Sequence, residues 1–281
     1  EAYRRGVVAL SLADLNLTSL PAEINCLSKL ESLDLNGNRL ATLPQDMTGL
    51  VQLNSLELSR NHLQTVPECL KHLVNLELLR LDNNQLVELS EPLWALENLR
   101  ALSLTNNAIT VLPADIGGLK KLQSLYLSDN RLVTLPPEIG TLSVLQQLNV
   151  ERNNLRGLPE AITNLELLEE LYLTVNYLPV LPVQLGKLKK LEILDVSFNR
   201  LIGLPKSING LVCLEVLDVA NNKLSILPPQ LGGLEELTSL NVSQNKISRL
   251  PSALGRFTHL ESLNASYNQL TTLPKKLNQL L

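Results

Sequence analysis

Aromatic side chains are scarce in this sequence. Phe, Trp and Tyr make up only 3% of the 281 residues, although 44% of the residues are hydrophobic. Leucine therefore takes over the role of core filler that aromatic residues usually share. Such a composition favours an architecture in which one aliphatic residue recurs at many equivalent core positions.

Cysteine is also rare, and its three copies are far apart in the chain. Cys26, Cys69 and Cys213 provide neither the paired thiols of a disulfide framework nor the clustered ligands of a zinc site. The three glycosylation sequons are about as many as chance produces in so asparagine-rich a chain. We therefore expect reduced cysteines and a cytoplasmic, intracellular location.

The sequence has no excess of positive charge and no long hydrophobic run. Its net charge is −4 and its pI is about 5.5, which argues against nucleic-acid binding because phosphate recognition normally needs surplus Lys and Arg. No apolar stretch reaches the roughly 18 residues of a membrane-spanning helix. The N-terminal EAYRRGVVAL lacks a small-residue cleavage site, so we expect no signal peptide. We predict no nucleic-acid partner and no membrane insertion.

Catalytic motifs are missing as well. Neither a phosphate-binding loop of the Walker type nor a G-x-G-x-x-G sequence occurs, and His62, His72 and His259 are scattered. Asp34 and Glu57 are expected on neighbouring strands, where paired carboxylates are usually only charged surface. We predict a protein that is not an enzyme and that uses no cofactor, no metal and no small-molecule substrate.

The pattern that is present is a repeat of 23 residues. The template L-x-x-L-x-L-x-x-N-x-L-x-x-L-P-x-x-L/I-G-x-L-x-x occurs twelve times without a slip. The repeats start at Val7, Leu30, Leu53, Leu76, Leu99, Leu122, Leu145, Leu168, Leu191, Leu214, Leu237 and Leu260. A fixed period of this length means that each unit must stack on its neighbours to bury its apolar face. Since no linker or change of composition interrupts the array, we predict one domain over residues 1–281.

The first half of each repeat predicts a short strand. In the ninth repeat Leu191, Leu194 and Val196 alternate with Glu192 and Asp195, and a period of two indicates a strand with one buried face. Strands stacked in one sense make a parallel sheet. The Asn at position nine can donate and accept at once, so we predict that its stacked copies satisfy backbone groups inside the core.

The second half predicts a turn into a short helical or 3₁₀ segment. A Leu-Pro pair begins it, because proline fixes φ and lacks an N–H, and residues 137–142 are an example. Gly140 and its equivalents are expected to end the segment. The predicted fold class is an α/β solenoid, a curved leucine-rich-repeat horseshoe with a parallel β-sheet on the concave face and short helical or 3₁₀ segments on the convex face.

The pattern N-x-L-x-x-L-P-x-x-I/L-G-x-L-x-x-L resembles the 23-residue leucine-rich repeats of the intracellular Ras-group family. That family includes Ras-binding scaffolds, Ras suppressor proteins, plant intracellular Ras-group proteins and the repeat regions of Roco proteins and fungal adenylate cyclase. The resemblance implies an intracellular scaffold that engages another protein, often a small GTPase or its regulators. The matching residues are core residues, so no partner-binding residue of the family can be transferred by motif.

Three features depart from the template. Leu15 stands where the first repeat should have its position-nine Asn. In the fourth repeat Ser90 replaces the proline, and Trp94 is expected to pack over a locally irregular convex segment. Neither end of the chain, at Glu1 or at Leu281, has a recognisable polar cap, so we expect a fragment of a longer protein or ends covered by flanking sequence.

Function has to lie at the positions that the template leaves free. Positions two, three, five, seven and eight are predicted to project from the concave sheet, with position ten on its rim. The chain has eight aromatic residues, namely one Trp, five Tyr and two Phe, and five of them occupy these positions. Exposed aromatics and Arg ringed by polar groups are typical of interface hot spots, although large side chains packing along tight columns would give the same pattern. The predicted partner-binding residues are Tyr126, Asn149, Arg152, Glu170, Tyr172, Val175, Tyr177, Asp195, Phe198, Arg200 and Asp218.

The charges of the free positions are divided. Position two is often Glu, as in Glu192 and Glu215, whereas position ten is often basic, as in Arg200 and Lys223. Such a division would orient an incoming protein more than it would add affinity. It is also compatible with plain solubility, since exposed pairs contribute only about 0 to 1 kcal/mol each.

These observations predict an intracellular scaffold that binds a folded partner protein in its concave face, centred on repeats six to ten. Two alternatives stay open. The chain could be the recognition arm of a larger enzyme, such as a GTPase, kinase, phosphatase, cyclase or ubiquitin ligase, which the missing caps favour. It could also be a purely structural or engineered array, and the irregular columns on the predicted concave face speak against that.

Overall fold

The computed structural model describes residues 6–274. These residues form two compact units that divide between Leu132 and Val133. The first unit holds repeats one to five and the strand of repeat six. The remaining repeats lie in the second unit, so each unit is itself a stack of leucine-rich layers.

Every repeat places a three-residue strand at template positions three to five. The strands are β1 (Ala9–Ser11), β2 (Ser32–Asp34), β3 (Ser55–Glu57), β4 (Leu78–Arg80), β5 (Ala101–Ser103), β6 (Ser124–Tyr126), β7 (Gln147–Asn149), β8 (Glu170–Tyr172), β9 (Ile193–Asp195), β10 (Val216–Asp218), β11 (Ser239–Asn241) and β12 (Ser262–Asn264). Within the first unit β1 to β6 pair in parallel in chain order, and β7 to β12 do the same within the second. The register never shifts, since Leu194 faces Leu217 and Leu217 faces Leu240.

The leucine positions of the template form the core. In the ninth repeat Leu191, Leu194, Val196 and Leu201 are all fully buried. The side chains at positions three and five point the other way and line a surface that we call the open sheet face. The predicted α/β solenoid, with a parallel sheet and short helical or 3₁₀ segments, is confirmed within each unit.

The position-nine asparagines form the hydrogen-bonded spine that the sequence predicts. Asn199 is buried, and its Oδ1 accepts the amide of Leu178 in the preceding repeat at 3.0 Å. Its Nδ2 donates to the carbonyl oxygens of Leu173 at 2.9 Å and Val196 at 3.2 Å. One side chain thus satisfies backbone groups of two adjacent repeats, where the chain turns off the strand and the sheet ladder no longer can.

Short helical segments line the side of each unit opposite the open sheet face. The 3₁₀ segments are Ala22–Cys26, Glu68–His72, Ala114–Gly118, Pro137–Thr141, Glu160–Asn164, Leu185–Lys187, Lys206–Gly210, Pro229–Gly233 and Ser252–Arg256. The fourth repeat instead forms a four-residue α-helix, α1 (Glu91–Trp94), in which Trp94 is half-buried and Pro92 occupies the first turn. That helix lies where the sequence predicts an irregular segment.

The glycines of these segments act differently from the prediction. Gly140 lies inside its segment, and its φ is not in the left-handed range that a glycine cap would need. A Cβ atom on Gly140 would lie 2.2 Å from the carbonyl oxygen of Ala161 in the next repeat. The glycine is therefore required for close stacking of adjacent repeats and does not serve as a helix cap.

Candidate protein-binding surface

Ten of the eleven predicted partner-binding residues lie in repeats seven to ten of the second unit. They are Asn149, Arg152, Glu170, Tyr172, Val175, Tyr177, Asp195, Phe198, Arg200 and Asp218. Tyr126 lies at position five of β6 in the first unit, where it is half-buried. The candidate surface is therefore confined to the second unit.

Position five forms a column across the open sheet face. Asn149 faces Tyr172, Tyr172 faces Asp195, and Asp195 faces Asp218 in the parallel register. Neighbouring strands of a sheet are about 4.8 Å apart, so these four side chains stand next to one another. The structure thus brings together the residues of this column that the sequence analysis selected.

The Tyr172 hydroxyl is held among carboxylates. Partial burial, the charge of Glu170 and a hydrogen bond to Glu170 raise the pKa of Tyr172 to about 12, and Glu151 and Asp195 add to this. The phenol therefore stays neutral and serves as a hydrogen-bond donor. Gln147 Nε2 approaches the same Glu170 carboxylate, with a distance of 3.1 Å to Oε1. These contacts orient the aromatic ring on the open sheet face.

The two aspartates of the column are hydrogen-bonded in different ways. Asp195 Oδ1 accepts a hydrogen bond from the Ser197 amide at 2.9 Å and lies within 2.7 Å of the Ser197 and Thr174 hydroxyls. The other carboxylate oxygen, Oδ2, accepts no hydrogen bond from the described residues. Asp218 accepts from the Ala220 amide at 2.8 Å and from Asn241 Nδ2 at 2.9 Å. Burial raises the pKa of the Asp218 carboxyl, and the neighbouring Asp195 charge raises it further.

Position eight adopts a left-handed backbone in every repeat. The φ angle is 48° at Arg152, 53° at Val175 and 50° at Phe198, and the other nine repeats have a similar value there. This turn directly precedes the buried position-nine Asn. Gly, Asn and Asp tolerate the left-handed region best, and they occupy six of these twelve positions, as at Gly37 and Asn83.

Val175 and Phe198, like Tyr267 in the twelfth repeat, place a β-branched or bulky apolar side chain on this left-handed backbone. A β-branched or bulky side chain in the left-handed region costs roughly 1–2 kcal/mol. Neither residue recovers this cost by burial, since Val175 is 42% exposed and Phe198 is 55% exposed. Two adjacent repeats thus carry strained, exposed apolar side chains at a position where Asn would fit without strain. Backbone strain of this kind concentrates at functional sites.

Tyr177 and Arg200 meet at position ten, beside this pair. The guanidinium carbon of Arg200 lies 4.5 Å from the centroid of the Tyr177 ring, which is a cation–π contact. Tyr177 is still 42% exposed. Both residues were predicted from the sequence to bind a partner, and in the structure they contact each other.

Some features of this surface were not predicted from the sequence. Ile202 and Ile226 are also apolar and exposed, and they lie just after position ten, at template positions twelve and thirteen. Position seven was predicted to project from the sheet, yet Ser197 and Ala220 are buried there. The prediction was therefore wrong at these two residues, whose amides donate to the position-five side chains of their own repeats, whereas Glu151 and Thr174 are half-buried at the same position.

The remaining predicted residues frame the surface. Asn149 Oδ1 accepts the amide of Glu151 at 3.0 Å, which is the same local turn that Asp195 and Asp218 make. Arg152 is exposed at the left-handed position of the seventh repeat. The apolar side chains of Val175 and Phe198 are thus surrounded by hydrogen-bonding groups, by the cation–π pair of Tyr177 and Arg200, and by charges of both signs.

Among residues 6–274 no three His, Cys, Asp or Glu side chains cluster as metal ligands would. In the same range no helix has the length and apolar character needed to cross a bilayer. The three cysteines are free thiols, and burial raises the pKa of the Cys69 thiol to about 11, so that it is a poor nucleophile at neutral pH.

A parallel stack of leucine layers with a variable open face defines a repeat solenoid. Residues 87–203 match a family described as a leucine-rich repeat region, and residues 28–86 match a second family described as a leucine rich repeat. A third leucine-rich repeat family matches residues 213–234, 236–257 and 259–280. The chain belongs to the leucine-rich repeat proteins.

Solved structures of similar chains agree with this assignment. The leucine-rich repeat protein LIC12759 of Leptospira interrogans is 34% identical with a TM-score of 0.82, and the match covers 94% of this chain and 74% of that one. PEPR1, solved with AtPEP1, is 32% identical with a TM-score of 0.85, over 98% of this chain and 40% of that one. The Arabidopsis receptor kinase HAESA, solved with the peptide hormone IDA and the co-receptor SERK1, is 29% identical with a TM-score of 0.81, over 95% of this chain and 47% of that one. No curated protein sequence gives a match.

Proposed function

We propose that this protein is a non-enzymatic interaction scaffold that binds a partner protein on the open sheet face of repeats seven to ten. The observation that carries the proposal is the pair Val175 and Phe198. Both are apolar and exposed, and both occupy a left-handed backbone position that Asn or Gly would fill at lower cost. A partner that buries these side chains supplies a reason for retaining them.

The neighbouring residues support the same proposal. Interface hot spots are enriched in Tyr and Arg, and their anchors are surrounded by polar groups that exclude water. Tyr172, Tyr177 and Arg200 provide such side chains within two repeats of Phe198, and they are positioned by the contacts described above. Tyr and Arg also lose little conformational freedom on binding when they are already held in place.

The comparisons support binding of a protein or peptide by this fold. PEPR1 was solved with AtPEP1, and HAESA was solved with a peptide hormone and a co-receptor. From the L-P-x-x-I/L-G pattern we propose more narrowly that the partner is a folded intracellular protein, such as a small GTPase or a signalling regulator, and that the scaffold works in the cytoplasm.

Site-specific photocrosslinking would test the proposed surface. A photoreactive phenylalanine analogue is placed at Phe198 in one variant and, in the control, at exposed Val212, which follows the 3₁₀ segment Lys206–Gly210 of the same repeat. We expect a discrete protein adduct from position 198 and none from position 212. The adduct protein is then purified, and its affinity for the wild type is compared with its affinity for Tyr172→Ala. Equal crosslinking at both positions, or equal affinities, would contradict the proposal.

The second candidate function is recognition within a longer enzyme. The chain spans 40% of the PEPR1 chain and 47% of the chain of HAESA, which is a receptor kinase. Both candidate functions use the same surface and differ only in what is attached to it. The full reading frame decides between them, since an adjoining catalytic domain supports the second and its absence supports a free-standing scaffold.

A further inference from the structure

In the first unit two carboxylates at positions two and five form ion pairs with arginines of the next repeat, whereas among the described residues Glu31 and Asp34 in the same columns form none. At position two Arg100 Nε lies 3.1 Å from Glu77 Oε2, and at position five Arg80 Nη1 lies 3.9 Å from Glu57 Oε2. In each pair the arginine and the carboxylate occupy the same template position of adjacent repeats. A carboxylate on this face can therefore be neutralised from within the stack.

The second unit does not balance the same columns. Position two carries Glu169, Glu192 and Glu215 in three successive repeats, and position five carries Asp195 and Asp218. Within the part of the chain that the structure describes, no Lys or Arg forms an ion pair with any of these five carboxylates. The acidic columns of the second unit are thus uncompensated by the fold itself.

These columns place like charges side by side. The amide of Glu192 donates to the carbonyl of Glu169 at 2.8 Å, and that of Glu215 donates to the carbonyl of Glu192 at 2.9 Å, so the three residues stack directly. Asp195 and Asp218 are partners in the β9–β10 register. Like charges that face each other across a sheet are destabilising. The neighbouring Asp195 charge also contributes to the raised pKa of Asp218.

An apolar step separates the two acidic columns. Ile193 and Val216 face each other at position three, and both are only partly buried. Position two directly precedes the strand, and its Cα is three residues from that of position five, which is about 10 Å at 3.3 Å per residue. Along the strand direction the surface is therefore acidic at position two, apolar at position three and acidic at position five. Basic Arg200 and Lys223 lie beyond it, at position ten.

We propose that the segment bound by this surface is cationic: two Lys or Arg side chains about 10 Å apart flank a large apolar residue that rests on Ile193 and Val216. The inference rests on the proposed function and names the chemistry of the partner. The basic side chains neutralise the acidic columns, and the position-ten cations repel the partner's basic residues from the opposite edge. Charge complementarity thus fixes the orientation of the segment.

The test uses the full chain and a displayed library of random twelve-residue peptides as the probe. We expect selected peptides to be enriched in Lys or Arg on both sides of a large apolar residue. Their affinity for the quadruple variant Glu192→Gln/Glu215→Gln/Asp195→Asn/Asp218→Asn should fall at least tenfold. The substitutions suit the fold, because Gln146 and Asn241 occupy the equivalent positions of other repeats and Asn241 makes the same local turn.

A matched control makes the same kind of charge change elsewhere. Glu235→Gln/Glu236→Gln removes two exposed carboxylates from outside the open sheet face, and the selected peptides should bind it as they bind the wild type. Selected peptides that are neutral or acidic but lose affinity for Phe198→Asn would overturn the inference and leave the proposed function standing. Basic peptides that bind Phe198→Asn, the quadruple variant and the wild type equally would overturn both the inference and the proposed function. A library with no enriched sequence would do the same.

Discussion

The guanidinium carbon of Arg200 lies 4.5 Å from the ring centroid of Tyr177, one repeat earlier at the same template position. An exposed cation–π contact contributes about 0.5–1 kcal/mol. A double-mutant cycle with Tyr177→Leu and Arg200→Met should therefore give a coupling of this size in the free energy of unfolding. Urea titrations of the four proteins measure it. A coupling near zero would mean that the contact does not hold Tyr177 in place for a partner.

The left-handed backbone at position eight predicts that function and stability oppose each other. Val175→Asn and Phe198→Asn should each raise the free energy of unfolding by about 1 kcal/mol, because Asn adopts a positive φ with less strain. For a chain of this length the corresponding rise in melting temperature is about 2–4 °C. Thermal denaturation followed by circular dichroism measures it. The reverse change Asn83→Val is the control and should lower the melting temperature, whereas no rise in either Asn variant would remove the argument from strain.

The asparagine spine predicts a large effect from a small truncation. Asn199→Ala removes the acceptor of the Leu178 amide and leaves that buried donor unpaired. Leaving buried polar groups unpaired costs about 1–3 kcal/mol each, so we expect a loss of about 3 kcal/mol in unfolding free energy. Asn164→Ala, at an exposed residue that ends a 3₁₀ segment, should change stability by less than about 0.5 kcal/mol. Comparable losses in the two variants would contradict a structural role for the spine.

The Tyr172 phenol predicts a pH dependence in the alkaline range. Its pKa is about 12 in the folded protein against an ordinary value of 10, so the folded state keeps its proton where the unfolded state loses it. The stabilising contribution is complete below pH 10 and is lost as the pH rises toward 12. Ultraviolet titration of the phenolate should find one late-titrating tyrosine that is absent in Tyr172→Phe. Glu170→Gln should shift that pKa back toward 10, and an unchanged titration would contradict the assigned contact.

Much of the fold follows from the sequence because the same constraint acts in every repeat. The alternation around Leu194 predicts β9, and the recurring Asn199 predicts a buried polar spine, since only the turn off a strand needs an amide at that spacing. The left-handed turn at position eight was missed, although Gly37 and Asn83 at that position were a usable signal. The residue types that favour this turn become visible only when position eight is compared across all twelve repeats.

The candidate surface was predictable in its residues but not in its contacts. The template identifies Tyr177 and Arg200 as free positions, yet whether the guanidinium stacks on the ring depends on the choice of rotamers. The arginine pairs of the first unit were not predicted for the same reason. Because the partner imposes no periodicity on the chain, no sequence pattern reports its identity. The single domain over residues 1–281 and the partner-binding role of Tyr126 stay predictions.

The central claim is that Tyr172 and Phe198 bind a partner and are not required for the fold. The most direct test measures two quantities on the double variant Tyr172→Ala/Phe198→Asn, namely its melting temperature and its affinity for the protein captured by crosslinking at position 198. We predict that the affinity falls by several kcal/mol, as hot-spot truncations do, while the melting temperature does not fall. An unchanged affinity, or a loss of affinity that only accompanies unfolding, would contradict the assignment of this surface.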